Sequence, residues 1–333
     1  MANSSIDVTG LYNSLSPFNI TLLILYAIVV VIGVIGNGLV VIIAWKTTSM
    51  HTTTNFLLTN VAVADIISLI WCIIPIALSL FAEHPSGILG KYICKFFSGY
   101  AMTCVSVSVK LSSLFVLAIE RYLAVLKPLK INLRRRQKYI GYRIAFIWVF
   151  AIIFSLPGFI YSEYDERLKR CLDPWTIERI STIKWQITIT IVLVIICSIC
   201  LFYCHFQILK GIFITNTVCS AAPAGTKREN LRAKRTLAIV SFTATAAYII
   251  CNAPYVVFEV YLAYTEHEDI LNNYKSLYKI YRVLGYIMYF NSCLNPFIYA
   301  FQSSNYRKNF KRIFFHGEAV LSGGNINLGA LRN

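Results

Sequence analysis

The sequence predicts an all-α membrane protein, a seven-transmembrane helix bundle followed by a short cytoplasmic surface helix. The 333 residues are 57% hydrophobic and only 14% charged, which is too apolar for a soluble protein of this size. Apolar stretches long enough to cross a bilayer recur at residues 20–45, 54–81, 96–125, 140–161, 184–209, 236–264 and 277–301. Their short connections show neither a second domain nor an internal repeat of the kind many transporters have, so one bundle accounts for the chain.

These spans divide the chain into four parts. We predict an extracellular amino terminus at 1–19, a seven-transmembrane domain at 20–301, an amphipathic surface helix at 303–315 and a cytoplasmic tail at 316–333. The surface helix is predicted because its apolar and basic side chains separate at helical spacing. Its apolar face holds Tyr306, Phe310, Ile313 and Phe314, and its basic residues Lys308, Lys311 and Arg312 lie elsewhere.

The distribution of charge predicts the orientation in the membrane. Of the 31 Lys and Arg residues, 20 fall on the side of the carboxyl terminus, together with three acidic residues; the opposite side holds ten basic and eleven acidic residues. By the positive-inside rule the amino terminus is extracellular and the carboxyl terminus cytoplasmic. This asymmetry explains the net charge of +16 without nucleic-acid binding.

Processing signals are expected only at the amino terminus. No removable signal peptide is recognised before residue 20, so we expect the first span to direct insertion. The sequon at Asn3 is the better glycosylation candidate, because the second sequon, at Asn19, abuts the membrane.

Two of the ten cysteines are candidates for a disulfide. The other eight fall in predicted helices or, for Cys219, in a cytoplasmic loop, where thiols stay reduced. Cys94 lies early in the third span and Cys171 in the second outer loop. One bridge between them is the economical interpretation, with two free thiols as the alternative.

Lys110 is a lone cation within the apolar run 100–117. A charge at bilayer depth costs several kcal/mol unless it is paired. Asp65 lies in the run 56–81, and both residues are about 11 residues from the cytoplasmic ends of their spans, so at about 1.5 Å per residue their depths match. We predict a buried ion pair; the alternative is that Lys110 is neutral or extends outward.

Motifs at fixed places resemble those of the rhodopsin-like (class A) G-protein-coupled receptors. In chain order they are Gly36-Asn37, Asn60 to Asp65, Glu120-Arg121-Tyr122, Trp148 and Pro157, Pro254, and Asn295-Pro296-Phe297-Ile298-Tyr299. The stretch 291–310 looks most like the peptide-binding, neuropeptide-receptor branch. The resemblance implies a plasma-membrane receptor whose partners are an extracellular ligand, a heterotrimeric G protein and membrane lipids. It implies no enzymatic activity and no bound metal or cofactor.

The resemblance also assigns a switch that faces the G protein. Arg121 is expected to pair with Glu120 at rest and to reach a partner when the helices separate, with Tyr122 beside it. Tyr203 and Tyr299 resemble two tyrosines that swing inward on activation. The alternative for Arg121 is an ordinary arginine at the membrane interface. The alternative for Tyr203 and Tyr299 is that they belong to the belt of tyrosines at that interface.

Several positions depart from the family pattern. Lys110 stands where the family has a serine that helps to hold a sodium ion, so we expect the lysine to replace that ion and to bind Asp65 and two further oxygens. The candidate polar core comprises Asp65, Lys110, Asn252, Asn291, Ser292 and Asn295. Asn252 also replaces the usual sixth-helix tryptophan, and Lys234 the acidic partner of the switch arginine.

One further departure concerns the third span. Cys94 and Arg121 are about two residues further apart than is usual in the family, so we expect a bulge or a late start at the outer end of this helix. Pocket positions are therefore counted from Arg121.

Counted from Arg121, Thr103 takes the place of the aspartate of amine receptors, and Tyr289 that of the retinal lysine, which argues against both ligand classes. The candidate ligand-binding residues are Thr103, Tyr255, Glu259, Tyr281, Arg282 and Tyr289. The opposite charges of Glu259 and Arg282 suit a peptide, unless the two form a salt bridge that only closes the loop.

The predicted function is a receptor that senses an extracellular ligand, most simply a peptide, and activates a G protein through rearrangement around Arg121. The alternatives are a transporter that uses Asp65 and Lys110 as a relay and a receptor-like decoy that does not signal.

Overall fold

The computed structural model describes residues 16–81, 84–126, 138–167, 170–172, 180–214 and 227–315. Within them the bundle consists of the long helices α1 (Pro17–Lys46), α2 (Thr53–Phe81), α4 (Ala101–Leu126), α5 (Ile140–Tyr161), α6 (Ile180–Leu209), α7 (Lys227–Tyr264) and α9 (Tyr274–Gln302). Shorter elements are α3 (Gly87–Ile93), α8 (His267–Asn272), α10 (Ser304–Phe315), a 3-10 turn at Thr48–Met50 and π-helical turns at Cys94–Ser98 and Lys210–Ile214. The strands β1 (Tyr164–Asp165) and β2 (Arg170–Cys171) pair antiparallel. We call the end of the bundle predicted to be extracellular the outer end, and the opposite end the inner end.

In the described part of the chain, six helical segments are long and apolar enough to cross a membrane. The predicted seventh span corresponds to α9, which is 29 residues long but more polar. Its polar residues Asn291, Ser292 and Asn295 are buried, so these side chains face the interior of the bundle rather than lipid. The prediction of an all-α, seven-helix bundle is therefore confirmed.

Several helices begin earlier than predicted, α1 and α7 among them. Pro17 occupies the first turn of α1, and the Ser16 hydroxyl accepts a hydrogen bond from the backbone N of Asn19 at 3.3 Å, so a capped turn replaces the predicted boundary at residue 20. α7 begins at Lys227 instead of 236. The hydrophobic pattern missed this polar first part because it marks only the membrane-crossing length. Asn3 and the tail at 316–333 lie outside the described residues, and their assignments stay predictions.

The outer end of the third span contains the expected bulge. α3 leads into the π-helical turn Cys94–Ser98, and the backbone N of Gly99 donates to the carbonyl of Cys94 at 2.8 Å before α4 begins. A β-carbon on Gly99 would lie 2.4 Å from that carbonyl oxygen, so the close approach requires glycine. The Trp71 indole donates to the Phe96 carbonyl at 2.8 Å, which supports the turn from α2.

A hydrogen-bonded junction fixes α4 against its neighbours in the core. Asn60 on α2 donates to Ser113 Oγ on α4 at 2.8 Å and accepts from the Trp148 indole on α5 at 2.9 Å. The apolar cluster around it includes fully buried Val61 and Leu117. This junction holds the helix that carries Lys110 and Arg121 in a set position.

Candidate functional site

The ion pair predicted in the bundle interior is present. Lys110 Nζ on α4 lies 3.2 Å from Asp65 Oδ1 on α2, and the two side chains are 1% and 0% exposed. The ammonium also donates to Ser292 Oγ on α9 at 3.1 Å, and Asn295 Nδ2 donates to Asp65 Oδ2 at 2.6 Å. The alternative of an outward-extending Lys110 is excluded by this burial.

The remaining members of the predicted polar core are placed differently. Asn252 donates to the Tyr248 carbonyl of its own helix at 2.8 Å, and this bond stabilises α7 rather than the ion pair. Asn291 is buried, and its side-chain oxygen has no hydrogen-bond partner. Asn37, which is not one of the predicted core residues, donates to the Ser292 carbonyl at 2.8 Å. It joins α1 to the serine that accepts a hydrogen bond from Lys110.

The predicted ligand-binding residues gather at the outer end between α4, α7 and α9. Thr103 Oγ1 and the Tyr289 hydroxyl are 2.9 Å apart and join α4 to α9. Tyr255 donates through its hydroxyl to the Tyr281 hydroxyl at 3.1 Å, and the two ring centroids are 5.6 Å apart. Hydroxyl and ring surfaces therefore line this end of the bundle, which we call the tyrosine mouth (Thr103, Tyr255, Tyr281 and Tyr289).

The two charged candidates lie on different helices at the outer end. Glu259 is half-buried on α7, within electrostatic range of Tyr255, Tyr100 and Cys104. The Arg282 guanidinium lies 5.8 Å from the ring centroids of Tyr26 and Tyr278. Tyr100 and Cys104 were not among the candidates, because nothing in their type or spacing separates them from ordinary helix-lining residues.

The outer loops are attached to the third span by the predicted disulfide. Cys94 and Cys171 are bonded, and the strand pairing places Tyr164 opposite Cys171. The His84 ring stacks on Tyr164 at 4.9 Å, and its Nε2 forms a hydrogen bond with Ser98 Oγ at 2.8 Å. Burial lowers the pKa of His84 below its ordinary value. The prediction of one outer disulfide is thus confirmed.

At the inner end, the switch residues contact neighbouring helices. Arg121 donates through Nη2 to Thr54 Oγ1 on α2. Glu120 is 4% exposed and forms an ion pair with Arg143 on α5. The sequence suggested neither Thr54 nor Arg143 as a switch partner; Arg143 was counted only among the inner positive charges.

The switch tyrosines occupy unlike environments. Tyr203 is 53% exposed, and its ring centroid lies 6.3 Å from that of Tyr122. Tyr299 is 3% exposed, and its hydroxyl has no hydrogen-bond partner. The inward swing of Tyr203 and Tyr299 on activation, which the resemblance implies, stays a prediction. For Tyr203, a position in the interfacial belt is still an alternative.

Neutral hydrogen bonds connect the inner half of α7 to two neighbouring helices. Gln302 on α9 donates to Thr243 Oγ1 at 3.1 Å, and His205 Nε2 on α6 lies 3.1 Å from Thr245 Oγ1. The sequence did not indicate these contacts, because the family motifs point only to a charged partner on this helix. They join α7 to α9 and to α6 without involving Arg121.

Comparison with known proteins agrees with this geometry. The profile of the family described as "7 transmembrane receptor (rhodopsin family)" matches residues 36–299. The chain belongs to this family. Its members are signalling receptors rather than enzymes, and the receptor described here is accordingly a multi-pass membrane protein.

Two relatives indicate the branch of the family to which the receptor is similar. It is 26% identical to galanin receptor 2b of Danio rerio over 313 residues, which cover 90% of this chain and 76% of the relative. It is 27% identical to the human neuromedin-K receptor over 300 residues, which cover 87% of this chain and 60% of the relative. The transporter and decoy alternatives are not favoured by these relatives.

Proposed function

We propose that this receptor senses an extracellular peptide and activates a heterotrimeric G protein. Its relatives are named as receptors for galanin and neuromedin K, and the charged and tyrosine-lined outer end offers the mixed polar and aromatic contacts that peptides require. The observation that carries the proposal is the position of Arg121. It lies at the inner end of α4 and is held against Thr54 on α2, so movement of either helix exposes the guanidinium.

The orientation is part of the same proposal. The amino terminus is extracellular, and the inner face formed by Arg121, the basic loops and α10 receives the G protein at the plasma membrane. A ligand must prefer the arrangement with separated inner helices in order to shift the population toward it. The disulfide-bonded hairpin and the tyrosine mouth are on the side that such a ligand reaches first.

The proposal is tested in cells that express the full chain. A peptide library is applied, and several G-protein reporters are read in parallel, with Arg121→Ala as the matched variant that is inserted in the membrane but uncoupled. We expect at least one peptide to signal through the native chain and to bind Arg121→Ala without signalling. An ion current or solute flux that depends on Asp65 and Lys110, with no reporter response to any peptide, would favour the transporter instead.

A further inference from the structure

The short helix α3 presents an apolar face outward from the protein. Three large apolar residues of this seven-residue helix are at least 60% exposed, namely Ile88, Leu89 and Tyr92. The opposite side of α3 is packed against the outer hairpin, where a β-carbon on Gly90 would lie 3.0 Å from the Tyr164 ring. Exposed apolar patches of this kind mark contact with a lipid or a protein, so this face of α3 is a candidate binding surface.

α3 is the outermost part of the third span. Together with the π-helical turn and α4 it forms an apolar helical segment of 40 residues, Gly87–Leu126. At about 1.5 Å per residue this segment is about 60 Å long, whereas the hydrocarbon core of a bilayer is about 30 Å thick. The segment therefore extends beyond the hydrocarbon core.

Trp71 on α2 gives the level of α3 in the membrane. It lies six residues beyond Asp65, so at about 1.5 Å per residue it is about 9 Å outward from the buried ion pair, which we take as the middle of the bilayer. Because the Trp71 indole donates to the Phe96 carbonyl at 2.8 Å, Phe96 lies near the same level. Tyr92 and Leu89 precede Phe96 by about one and two helical turns, which places them about 15 and 20 Å from the middle. These are the levels of the edge of the hydrocarbon core and of the lipid headgroups.

Two lysines flank the apolar face. Lys91 is exposed, Lys95 is half-buried, and their spacing of four residues makes them neighbours along the helix. Within the described part of the chain, neither ammonium has an ion-pair or hydrogen-bond partner. Glu166 does contact α3, but it accepts from the backbone N of Gly87 at 3.3 Å, at the helix end farthest from the bilayer.

The direction of α3 brings both ammonium groups toward the headgroups. Helical side chains tilt toward the N-terminus of their helix, and the N-terminus of α3 is its outer end. Long lysine side chains extend in this way from apolar surroundings to the membrane surface. Lys91 and Lys95 therefore offer two positive charges at the level where the phosphates of a bilayer lie.

From these observations we infer that α3 and the π-helical turn bind a phospholipid in the leaflet at the outer end of the bundle. Lys91 and Lys95 bind the phosphate of its headgroup. Its acyl chains lie against Tyr92 and Phe96, whose ring centroids are 6.5 Å apart, and against Phe159 of α5, 5.6 Å from Phe96. The inference depends on the position of the bundle in a membrane and not on the ligand or the G protein.

A phospholipid satisfies both parts of this surface. Free phosphate would neutralise the lysines but leave the apolar face in contact with water. A sterol would cover the apolar face but leave the lysines without a counter-charge. A phosphate linked to acyl chains meets both requirements in one molecule.

Photo-crosslinking identifies the molecule that covers α3. The photoreactive amino acid p-benzoylphenylalanine replaces Leu89 in the full chain in cell membranes, and after irradiation the adducts on the purified receptor are identified by mass spectrometry. The same amino acid replaces Phe202, a 74% exposed residue of α6, to report general contact with lipid. At Glu268, an exposed residue of α8, it reports the outer surface of the protein.

We expect phospholipid adducts at Leu89 and few lipid adducts at Glu268. The ratio of phospholipid to sterol adducts should be at least about threefold higher at Leu89 than at Phe202, because two lysines near the membrane surface attract phosphate-bearing lipids.

The lysines are tested in the chain that carries the photoreactive group at position 89. Lys91→Gln combined with Lys95→Gln should lower the ratio to that of the α6 position, because the headgroup then lacks its counter-charges. Lys91→Arg combined with Lys95→Arg should preserve the ratio. Lys184→Gln is the matched control and should leave the ratio unchanged, since it removes an outer lysine whose ammonium lies 6.0 Å from the Tyr264 ring centroid.

Several results would overturn the inference. Adducts at Leu89 to residues 1–15 of the receptor, or to a second copy of the chain, would show that protein covers α3, and the absence of any adduct would show contact with water. A ratio equal to that at Phe202, a ratio that survives the double glutamine variant, or lipid adducts as frequent at Glu268 as at Leu89 would show lipid contact without recognition of the phosphate. If the double variant does not reach the membrane, the comparison of Leu89 with Phe202 decides alone.

Discussion

Lys110 shows how one residue can change the chemistry of a membrane interior. Its ammonium has three N–H donors; it forms an ion pair with Asp65 Oδ1 and donates a hydrogen bond to Ser292 Oγ. Because these two partners belong to α2 and α9, the lysine connects three helices at one point. Its energetic contribution depends on both charges being present, since either one alone would be buried without a counter-charge.

Removing only the cation should therefore be worse than removing both charges. We expect Lys110→Met to destabilise the receptor by about 3 to 5 kcal/mol, whereas Lys110→Met combined with Asp65→Leu should be close to the native chain. The measurement is thermal unfolding in detergent together with surface expression. Equal losses in the single and the double variant would show that the two charges are not coupled.

The sequence was informative about this pair for a physical reason, and uninformative about its surroundings for another. A charge in a membrane span demands a partner at the same depth, and Asp65 met that condition. Hydrogen bonds of neutral side chains carry no such constraint. The positions of Asn252 and Asn291 depended on rotamers that helix spacing does not determine, and so did the contact between Thr103 and Tyr289.

At the scale of single elements, the third span shows how a local irregularity is built. The π-helical turn Cys94–Ser98 takes up extra chain between the disulfide and the switch, and a two-residue excess in spacing was enough to predict it. Its exact form depends on Gly99, whose backbone approaches the Cys94 carbonyl too closely for a side chain.

Gly99→Ala should disturb this turn. The added carbon would meet the Cys94 oxygen at 2.4 Å and Ser162 Oγ at 2.9 Å, and such overpacking costs about 1 to 3 kcal/mol. Thermal unfolding should shift down accordingly. Gly38→Ala is the matched control, because a carbon there has nothing within 4 Å. An unchanged midpoint for Gly99→Ala would mean that the turn relaxes freely.

The outer loop that contains His84 should be sensitive to acid. Since burial lowers the pKa of His84 in the folded receptor, the unfolded chain binds the proton more readily. The stability that neutral His84 contributes to the folded receptor is thus complete above the ordinary histidine pKa of about 6.5. It is lost as the pH falls below that value.

We expect the midpoint of thermal unfolding to decrease from pH 7.5 to pH 5, with a smaller decrease in His84→Gln. The comparison between the two chains isolates this residue from other groups that titrate in the same range. If the unfolding midpoint changes equally with pH in both chains, protonation of His84, whose ring stacks on Tyr164, is not coupled to stability.

At the scale of the whole molecule, hydrogen bonds between side chains connect the helices at the inner end. α7 is joined to α9 by Gln302 and Thr243 and to α6 by His205 and Thr245. These are neutral hydrogen bonds, each with a net stabilisation of about 1 kcal/mol. The overall bundle could be predicted from hydropathy and motif order, whereas this choice of contacts could not, because it depends on how whole helices are tilted.

If the hydrogen bond between Gln302 and Thr243 restrains activation, Gln302→Ala should raise signalling in the absence of ligand. Loss of about 1 kcal/mol shifts a two-state equilibrium by about fivefold. Thr243→Val should act similarly, and the double variant should add little to either single change. The measurement is basal reporter activity at matched surface expression. Additive effects, or none, would contradict a shared restraint.

The ion pair also bears on where such a receptor can operate. A counter-charge that is part of the polypeptide is present at constant stoichiometry, whether the surrounding fluid is brine or nearly fresh water. The charge of Asp65 is therefore neutralised by the protein itself and does not depend on ions from the surrounding fluid.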